Sequence, residues 1–394
     1  MVPASDESTG GVRVTTIPTN TTSATSVATS GSGPTRDHRG SWLPNGAMIA
    51  TRFMELRKRR GLMAALIVVN IGIPTIFLTI RLIAHAVAPK SYGPAGGYDV
   101  FTSIVAGVMY VFGFIVAATL GCTAGSVDLT DGMFRHLVIT GRSRLALFFA
   151  RIPAGLMIIV PMVAAGFTIV CAVCVFAAPT KLDYQGVTVP AGLSLKGLEN
   201  WAVSHPKEVV CGFPNRGPNV VACLINQKGQ VVTPPGAPAL RTIPLSTLKV
   251  DAVEVARQDY ADYSRYFLSP STSLMVKAGL WIELEAIVGL IVGLGLGSLM
   301  GQRTVAVILM IVLEIILTPL LSHAVIPHLI NVQRGVVGLA TAHLEPGGLP
   351  RAFGGGGGAP RLVPESTTVA VCVIVAWLVV WSGLGAWRMA TRDA

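Results

Sequence analysis

Long apolar runs alternate with polar segments along the chain. Six of them are long enough to cross a bilayer: Leu62–Ala86, Val100–Gly121, Leu145–Ala178, Leu274–Met300, Val305–Val325 and Thr368–Trp387. An α-helix rises about 1.5 Å per residue, so about twenty residues cross a hydrocarbon core about 30 Å thick. Lipid offers the backbone no hydrogen-bond partners, and runs of this length are therefore expected to be helices. The pattern predicts an all-α integral membrane protein with six transmembrane helices.

Composition and charge agree with a membrane protein. The chain is 52% hydrophobic and 13% charged, whereas soluble domains are about 25% charged. Its net charge of +10 is concentrated at alternate ends of the runs, as the positive-inside rule requires. With the N-terminus inside, the larger basic group is Arg52, Arg57, Lys58, Arg59, Arg60, Arg135, Arg142, Arg144, Arg151, Arg303, Arg388 and Arg392. We therefore predict a multi-pass cell-membrane protein with both termini cytoplasmic and no role in nucleic-acid binding.

The residues before the first run divide into two parts. Residues 1–46 are rich in Ser, Thr and Gly, which is typical of a disordered cytoplasmic tail. Residues 47–61 place Ile49, Phe53 and Leu56 at helical spacing, with Arg52 and Glu55 on the other side. This pattern predicts an amphipathic helix on the inner membrane surface. Alternatively, its basic residues serve only as the positive-inside anchor of the first span, and both interpretations can hold together.

A large segment, residues 179–270, separates spans 62–178 from spans 271–394 and is predicted to be an extracytoplasmic loop domain. Val220–Leu224 and Gln230–Thr233 flank a Gly-containing turn and predict a β-hairpin. Leu248–Phe267 is expected to form a helix leading into the fourth span. After the fifth span, Ile326–Leu344 is moderately apolar and predicts a pair of helices dipping into the outer leaflet.

Two cysteines lie in this predicted outer segment. An oxidising exterior favours a disulfide between Cys211 and Cys223, and the alternative is a reduced pair. His205 is the only histidine nearby, which leaves a zinc site incomplete, so we predict no metal site.

Catalytic signatures are missing from the sequence. It contains no H-E-x-x-H, no G-x-S-x-G and no P-loop sequence G-x-x-x-x-G-K-[ST]. We therefore predict that the chain is not an enzyme and has no cofactor of its own. If it acts as a pump, the ATPase is a separate polypeptide.

The connection between the second and third spans has the most informative pattern. Leu129, Met133 and Leu137 fall on one side of a helix that we place at Val127–Thr140. Asp128 and Asp131 stand at its beginning, where the helix dipole favours acids. The pattern predicts a short amphipathic helix along the inner surface.

At this connection the sequence resembles the permease subunits of type-2 ABC exporters, in particular those of high-GC Gram-positive bacteria. The matching positions are Asp131, Gly132, Phe134, Arg135, Leu137, Thr140, Ser143, Arg144 and Arg151, followed by residues 293–303, Glu314 with residues 319–321, and the terminal residues 392–394. Gly141 stands where the family has proline, so the turn geometry differs. The resemblance covers about residues 47–394, apart from most of the 179–270 segment.

The resemblance implies a six-helix ABC type-2 permease fold with an enlarged extracytoplasmic loop between spans three and four. It also implies that helix 127–140 is a coupling helix resting in a cleft of an ABC ATPase subunit. The coupling residues would be Asp128, Asp131, Arg135, Arg142 and Arg144. A second permease subunit, as homodimer or heterodimer, and the lipid bilayer complete the expected partners. The alternative is an interfacial helix that only anchors the loop.

Glu285 and Glu314 are ionisable groups deep inside predicted spans. Such groups are costly in lipid and tend to face a cavity or a partner. They are candidates for a substrate path, or they hold two helices together as protonated or paired groups. By contrast, Gly289, Gly293, Gly297 and Gly301 recur every fourth residue and indicate close helix packing.

The sequence favours a subunit that exports a hydrophobic or amphipathic substrate such as a drug, antibiotic or lipid-like molecule. One alternative is a membrane sensor or scaffold whose outer loop binds a ligand. Another is a proton-coupled secondary transporter using Glu285 or Glu314, for which inverted repeats are expected and none is evident between the two halves.

Overall fold

A computed structural model of the chain describes residues 43–88, 95–130, 143–179, 181–184, 187–212, 224–225, 231–232, 245–261, 263, 269–322, 326–347, 349 and 363–391. These residues all belong to one compact unit. Nearly all of the predicted tail, residues 1–46, lies outside the described residues. So does most of the predicted helix 127–140.

Six helices in the described part of the chain are long and apolar enough to cross a membrane. We number them spans 1 to 6: Arg60–Val87, Tyr98–Asp128, Arg144–Phe176, Thr272–Met300, Arg303–Ser322 and Thr367–Thr391. Each overlaps one of the six predicted runs. The prediction of a multi-pass, predominantly α-helical membrane protein is therefore confirmed.

Several spans depart from regular α-helical geometry. Span 3 divides into Arg144–Phe149 and Arg151–Phe176. Three other spans contain a π-helical turn, in which each hydrogen bond encloses one more residue than in an α-helix. These turns are Val68–Gly72 in span 1, Val105–Met109 in span 2 and Val312–Leu317 in span 5. The α-helical parts on either side are Arg60–Ile67 and Ile73–Val87 in span 1, Tyr98–Ile104 and Tyr110–Thr130 in span 2, and Arg303–Ile311 and Thr318–Ser322 in span 5. Such turns redirect the side chains that follow them and are frequent at functional sites.

Spans 2 and 4 form the centre of the bundle. In their most apolar windows 67% and 72% of the residues are buried, against 22% in spans 1, 5 and 6. Glycines allow this close approach: a Cβ added at Gly293 would lie 2.5 Å from the carbonyl oxygen of Ala118, and one at Gly297 would lie 2.5 Å from that of Cys122. The predicted packing role is confirmed for Gly289, Gly293 and Gly297, with span 2 as their partner. Gly301 instead is the left-handed C-cap of span 4, with φ 67°.

A separate helix, α1 (Gly46–Lys58), precedes span 1. Its N-cap is Asn45, whose side chain accepts a hydrogen bond from the Met48 amide at 2.9 Å. The buried residues of α1 are Met48, Arg52 and Leu56. The predicted polar face is therefore wrong at Arg52, which points into the protein because it binds an acidic residue of span 2.

The 179–270 segment contains small helical and hairpin elements. These are β1 (Lys181–Tyr184), β2 (Val187–Pro190), α2 (Leu195–Ser204), α3 (Pro206–Gly212), β3 (Leu224–Ile225), β4 (Val231–Val232) and α4 (Leu245–Gln258). Strands β1 and β2 pair antiparallel, from Lys181 with Pro190 to Tyr184 with Val187. Strands β3 and β4 pair antiparallel with Leu224 opposite Val232, which confirms the predicted hairpin.

Tyr263 anchors the apolar core of this segment, which includes Leu198 of α2 and Val255 of α4. Its hydroxyl donates to the carbonyl oxygen of Pro190 at 2.5 Å and accepts from the amide of Leu193 at 3.1 Å. Burial raises the pKa of this hydroxyl. The side chain thus joins the end of β2 to the residues that follow α4.

Removing the Tyr263 hydroxyl is expected to loosen this segment. In Tyr263→Phe the half-buried Leu193 amide and Pro190 carbonyl lose a partner, which we expect to cost about 0.5–1.5 kcal/mol. Hydrogen–deuterium exchange should then speed up in α2 and α4. Tyr260→Phe is the matched control, because Tyr260 stacks on Tyr263 with ring centroids 6.1 Å apart and is only half-buried. Equal exchange rates in the two variants would contradict the anchoring role.

Two short helices, α5 (Ile330–Arg334) and α6 (Val337–His343), follow span 5 and confirm the predicted helix pair. Most of α6 is buried, and it packs against span 6. The indole nitrogen of Trp281 in span 4 donates to the carbonyl oxygen of Thr341 at 2.9 Å. Helix α6 is therefore part of the bundle and lies beside spans 4, 5 and 6.

Candidate functional site

A buried group of charges joins α1 to spans 2 and 3 at one end of the bundle. We call Arg52, Glu55, Asp128 and Arg151 the charge cluster. Arg52 binds Asp128 with both terminal nitrogens, Nη1 to Oδ1 at 2.8 Å and Nη2 to Oδ2 at 2.6 Å. Arg151 Nη2 also donates to Oδ2 of Asp128, and Arg52 Nη1 contacts Glu55 Oε2 at 2.6 Å.

The charge cluster is electrically balanced, because two guanidinium groups face two carboxylates. Asp128 and Arg151 are only 2% and 1% exposed. Arg151 also donates to the carbonyl oxygen of Gly125 at 3.1 Å. Burial acts to lower the pKa of Arg52, but the Asp128 and Glu55 carboxylates outweigh it and hold that pKa above its ordinary value. The cluster therefore remains charged and binds α1 to two spans.

Asp128 differs in position from the sequence-based expectation. The sequence places it near the beginning of a new helix at Val127, whereas the helix of span 2 continues without a break from Tyr110 to Thr130. The predicted start of a separate helix is therefore wrong for residues 127–130. Asp128 faces Arg52 and Arg151 inside the protein because they neutralise its charge there.

The other predicted coupling residues are only partly described. Asp131, Arg135 and Arg142 lie outside the described residues. Arg144 opens span 3, and its Nη1 donates to the carbonyl oxygen of Ala390 near the end of span 6 at 3.0 Å. At the first end of the connection 129–143, span 2 thus contacts α1 and span 3. At its second end, the beginning of span 3 contacts span 6.

Sequence reasoning missed the pairing of Asp128 with Arg52 and Arg151, although a signal was present. Arg151 lies inside a predicted apolar run, where a charge needs a nearby partner. Asp128 is the acidic residue at the facing end of the preceding span. Combining these two observations would have predicted the pair.

Glu285 of span 4 and Glu314 of span 5 form a second buried site, the carboxyl pair. They are 1% and 2% exposed and interact electrostatically with each other. Tyr110 of span 2 donates its hydroxyl to Glu314 Oε1 at 3.1 Å. Neither oxygen of Glu285, nor Oε2 of Glu314, has a hydrogen-bond partner among the described residues. The structure thus brings together the two glutamates singled out in the sequence and adds Tyr110.

Aromatic rings and a glycine enclose the carboxyl pair. The ring of Tyr110 stacks on Trp281, with centroids 4.7 Å apart and planes 8° apart. A Cβ added at Gly338 of α6 would lie 2.6 Å from Glu314 Oε2. The π-helical turn of span 2 ends just before Tyr110, and Glu314 lies within that of span 5. Both irregular turns therefore adjoin the site.

A pocket opens to the surface next to Trp281. Its volume is about 280 Å³ and its lining is mostly apolar: Lys277, Leu280, Trp281, Leu284, Leu344 and Pro346. Trp281 thus lines this pocket and also stacks on Tyr110, whose hydroxyl contacts Glu314.

The cysteine prediction stays untested. The side chain of Cys211 and all of Cys223 lie outside the described residues. Within the part of the chain that the structure describes, no group of three or more His, Cys, Asp and Glu residues could hold a metal ion.

Comparison of the chain with protein-family models, with curated proteins and with solved structures finds no match.

Proposed function

We propose that the chain is the membrane-spanning permease subunit of an ATP-driven exporter of the type-2 ABC class, which moves a hydrophobic or amphipathic substrate outward. The observation that carries the proposal is the charge cluster. It ties the start of the connection 129–143 to α1 and to span 3. A force applied to this connection reaches three helices at once through buried ion pairs.

In this proposal a separate ABC ATPase grips residues 131–142 from the cytoplasm, where both termini also lie. Closure of the ATP-bound ATPase displaces this connection, and Asp128 transmits the displacement to Arg52 and Arg151. A second permease subunit, identical or related, completes the translocation path. The chain itself needs no nucleotide site or other cofactor.

Span 2 supports the transmission of such a displacement. Its helix is continuous from Tyr110 to Thr130, and it packs backbone to backbone on span 4 through Gly293 and Gly297. Axial movement of span 2 therefore requires movement of span 4, which carries Glu285. This links the cytoplasmic connection to the carboxyl pair as a candidate substrate path.

Charge reversal in the connection tests the proposal. Asp131→Lys or Arg135→Glu is expected to abolish co-purification with the ATPase, or to abolish transport-coupled ATP hydrolysis, while thermal unfolding of the permease stays unchanged. The measurements are pull-down of the ATPase partner with the permease, and the ATPase activity of the complex. Arg257→Glu is the matched control, since Arg257 is an exposed residue of α4 paired with Glu199 at 3.1 Å. An unchanged amount of fully active, coupled ATPase in the Asp131 and Arg135 variants would refute the proposal.

A second candidate function is a proton-driven carrier, which the juxtaposed carboxyl groups of Glu285 and Glu314 favour. The two functions differ in their energy source. Transport that persists in cells lacking the ATPase, and that stops when the proton gradient is dissipated, would favour the carrier.

A further inference from the structure

We propose that Glu285 and Glu314 form a proton-binding site that holds one exchangeable proton between spans 4 and 5, with the pocket beside Trp281 as its route to the surface. The inference goes beyond the proposed function, because it concerns proton binding by this chain alone. It holds whether an ATPase or a proton gradient drives transport.

Glu285 and Glu314 are buried without a counter-charge. Both side chains are almost fully buried, and three of their four carboxyl oxygens have no hydrogen-bond partner among the described residues. No lysine, arginine or histidine in the described part of the chain forms an ion pair with either group. Two adjacent carboxylates in an apolar interior repel each other and lack solvation. One shared proton removes one charge and supplies a donor to an oxygen that has none.

The neighbouring groups indicate which carboxyl group carries the proton. Tyr110, the titratable residue that span 2 contributes, donates to Glu314 and so favours its ionised form. Spans 4 and 5 contribute the pair itself and Thr318, and α6 contributes Thr341. Both threonine hydroxyls are neutral and donate to backbone carbonyls of their own helices. Neither oxygen of Glu285 receives a hydrogen bond among the described residues. The proton therefore resides on Glu285.

Packing leaves little room for a larger ligand between Glu314 and α6. Gly338 lies so close to the pair that a methyl group on it would be 2.6 Å from both Glu314 Oε2 and Thr318 Oγ1. A metal ion with its ligand oxygens, or an organic ammonium group, needs more room than this. A proton needs none.

Access to the site follows from the aromatic stack. Trp281 lines the surface pocket and stacks on Tyr110, whose hydroxyl contacts Glu314. A small movement of the Trp281 ring would therefore expose the Tyr110 hydroxyl to the pocket. The π-helical turn before Tyr110 and the one around Glu314 give both helices a local irregularity at this point.

Infrared spectroscopy of the full chain in lipid nanodiscs tests proton binding. The wild type is expected to show the C=O stretching band of a buried carboxylic acid at neutral pH, and this band should disappear at high pH and shift in D₂O. Glu285→Gln should remove the band, and Glu314→Gln should change its frequency. The spectra are recorded in a Glu283→Gln background, because both carboxyl oxygens of Glu283 are also buried without a hydrogen-bond partner among the described residues. Glu254→Gln is the control, since the Glu254 side chain of α4 is 43% exposed. It should leave the band of the pair in place.

Two outcomes would overturn the site. One is a band that survives both Glu285→Gln and Glu314→Gln in the Glu283→Gln background, and the other is the absence of any such band in that background. Should Glu285→Gln fail to fold, Tyr110→Phe decides instead. Loss of its hydrogen bond must shift the band if the pair is protonated, and an unshifted band would contradict the proposal.

The access route has its own measurement, the rate at which the band shifts after transfer to D₂O. Trp281→Ala should accelerate the shift, while Leu280→Trp, which narrows the pocket at an exposed position, should slow it. Trp387→Ala is the control, because Trp387 is exposed near the end of span 6. Equal rates in all three variants and the wild type would exclude this route. None of these measurements involves an ATPase, so their failure and the failure of the proposed function can be told apart.

Discussion

Replacing Asp128 by alanine is expected to lower the free energy of unfolding by about 3–5 kcal/mol, as is typical when one partner of a buried ion pair is removed. The change leaves Arg52 and Arg151 facing each other inside the protein, where Glu55 can neutralise only one of them. Repulsion adds to the loss of the hydrogen bonds that both guanidinium groups make with Asp128. Thermal or chemical unfolding of the purified protein in detergent measures the loss.

Glu55→Gln provides the matched control within the same cluster. Its side chain is 30% exposed and contacts only Arg52 among the ion pairs of the described residues. We expect a cost of about 0–1 kcal/mol, as for a partly solvated pair. The double variant Asp128→Ala with Arg151→Met should recover part of the loss, because it removes the guanidinium group that Glu55 does not neutralise. If Asp128→Ala costs no more than Glu55→Gln, the cluster is open to water and does not join the three helices.

The six spans were predictable because their signal is local. Length and apolarity of a single run decide whether a segment can cross a bilayer, and no distant residue alters that requirement. The β3–β4 hairpin was predictable for the same reason, since a turn sequence lies between its strands. In both cases the residues that determine the structure are close together in the chain.

The orientation of α1 and the contacts at the end of span 2 could not be predicted from neighbouring residues in the sequence. Arg52 lies on the polar side of an amphipathic pattern, but its partner is 76 residues away. The same holds for the carboxyl pair. Burial of Glu285 and Glu314 follows from their positions in apolar runs, whereas the contact of Glu314 with Tyr110 spans 204 residues. These contacts depend on which spans are neighbours, and hydropathy does not specify that.

The packing of the span 4 glycines could be predicted only in part from the sequence. Their spacing in span 4 predicted a close helix contact but did not identify the partner. Span 2 carries a matching pair, Gly121 and Gly125, also four residues apart. A Cβ at either would overlap the backbone of span 4. Comparing the glycine spacing of spans 2 and 4 would have predicted that these two spans are neighbours. Their contact is the central packing contact of the bundle.

Gly121→Ala therefore tests the contact that holds spans 2 and 4 together. The added methyl group would meet the carbonyl oxygen of Leu290 and lie 2.8 Å from the amide nitrogen of Leu294. Because both are backbone atoms, the helices must move apart, and we expect a loss of about 1–3 kcal/mol or more from overpacking. The melting temperature and the monodispersity of the purified protein should both fall.

Gly113→Ala, eight residues earlier on the same helix, is the matched control, and we expect it to stabilise the protein rather than destabilise it. A Cβ at Gly113 meets nothing within 4 Å outside its own helix and neighbours. Alanine stabilises a helix interior by up to about 1 kcal/mol relative to glycine. The two substitutions are chemically identical, so intrinsic helix propensity cannot explain effects of opposite sign. If Gly121→Ala is as well tolerated as Gly113→Ala, spans 2 and 4 are not in backbone contact. Movement of span 2 would then not reach Glu285 through this packing.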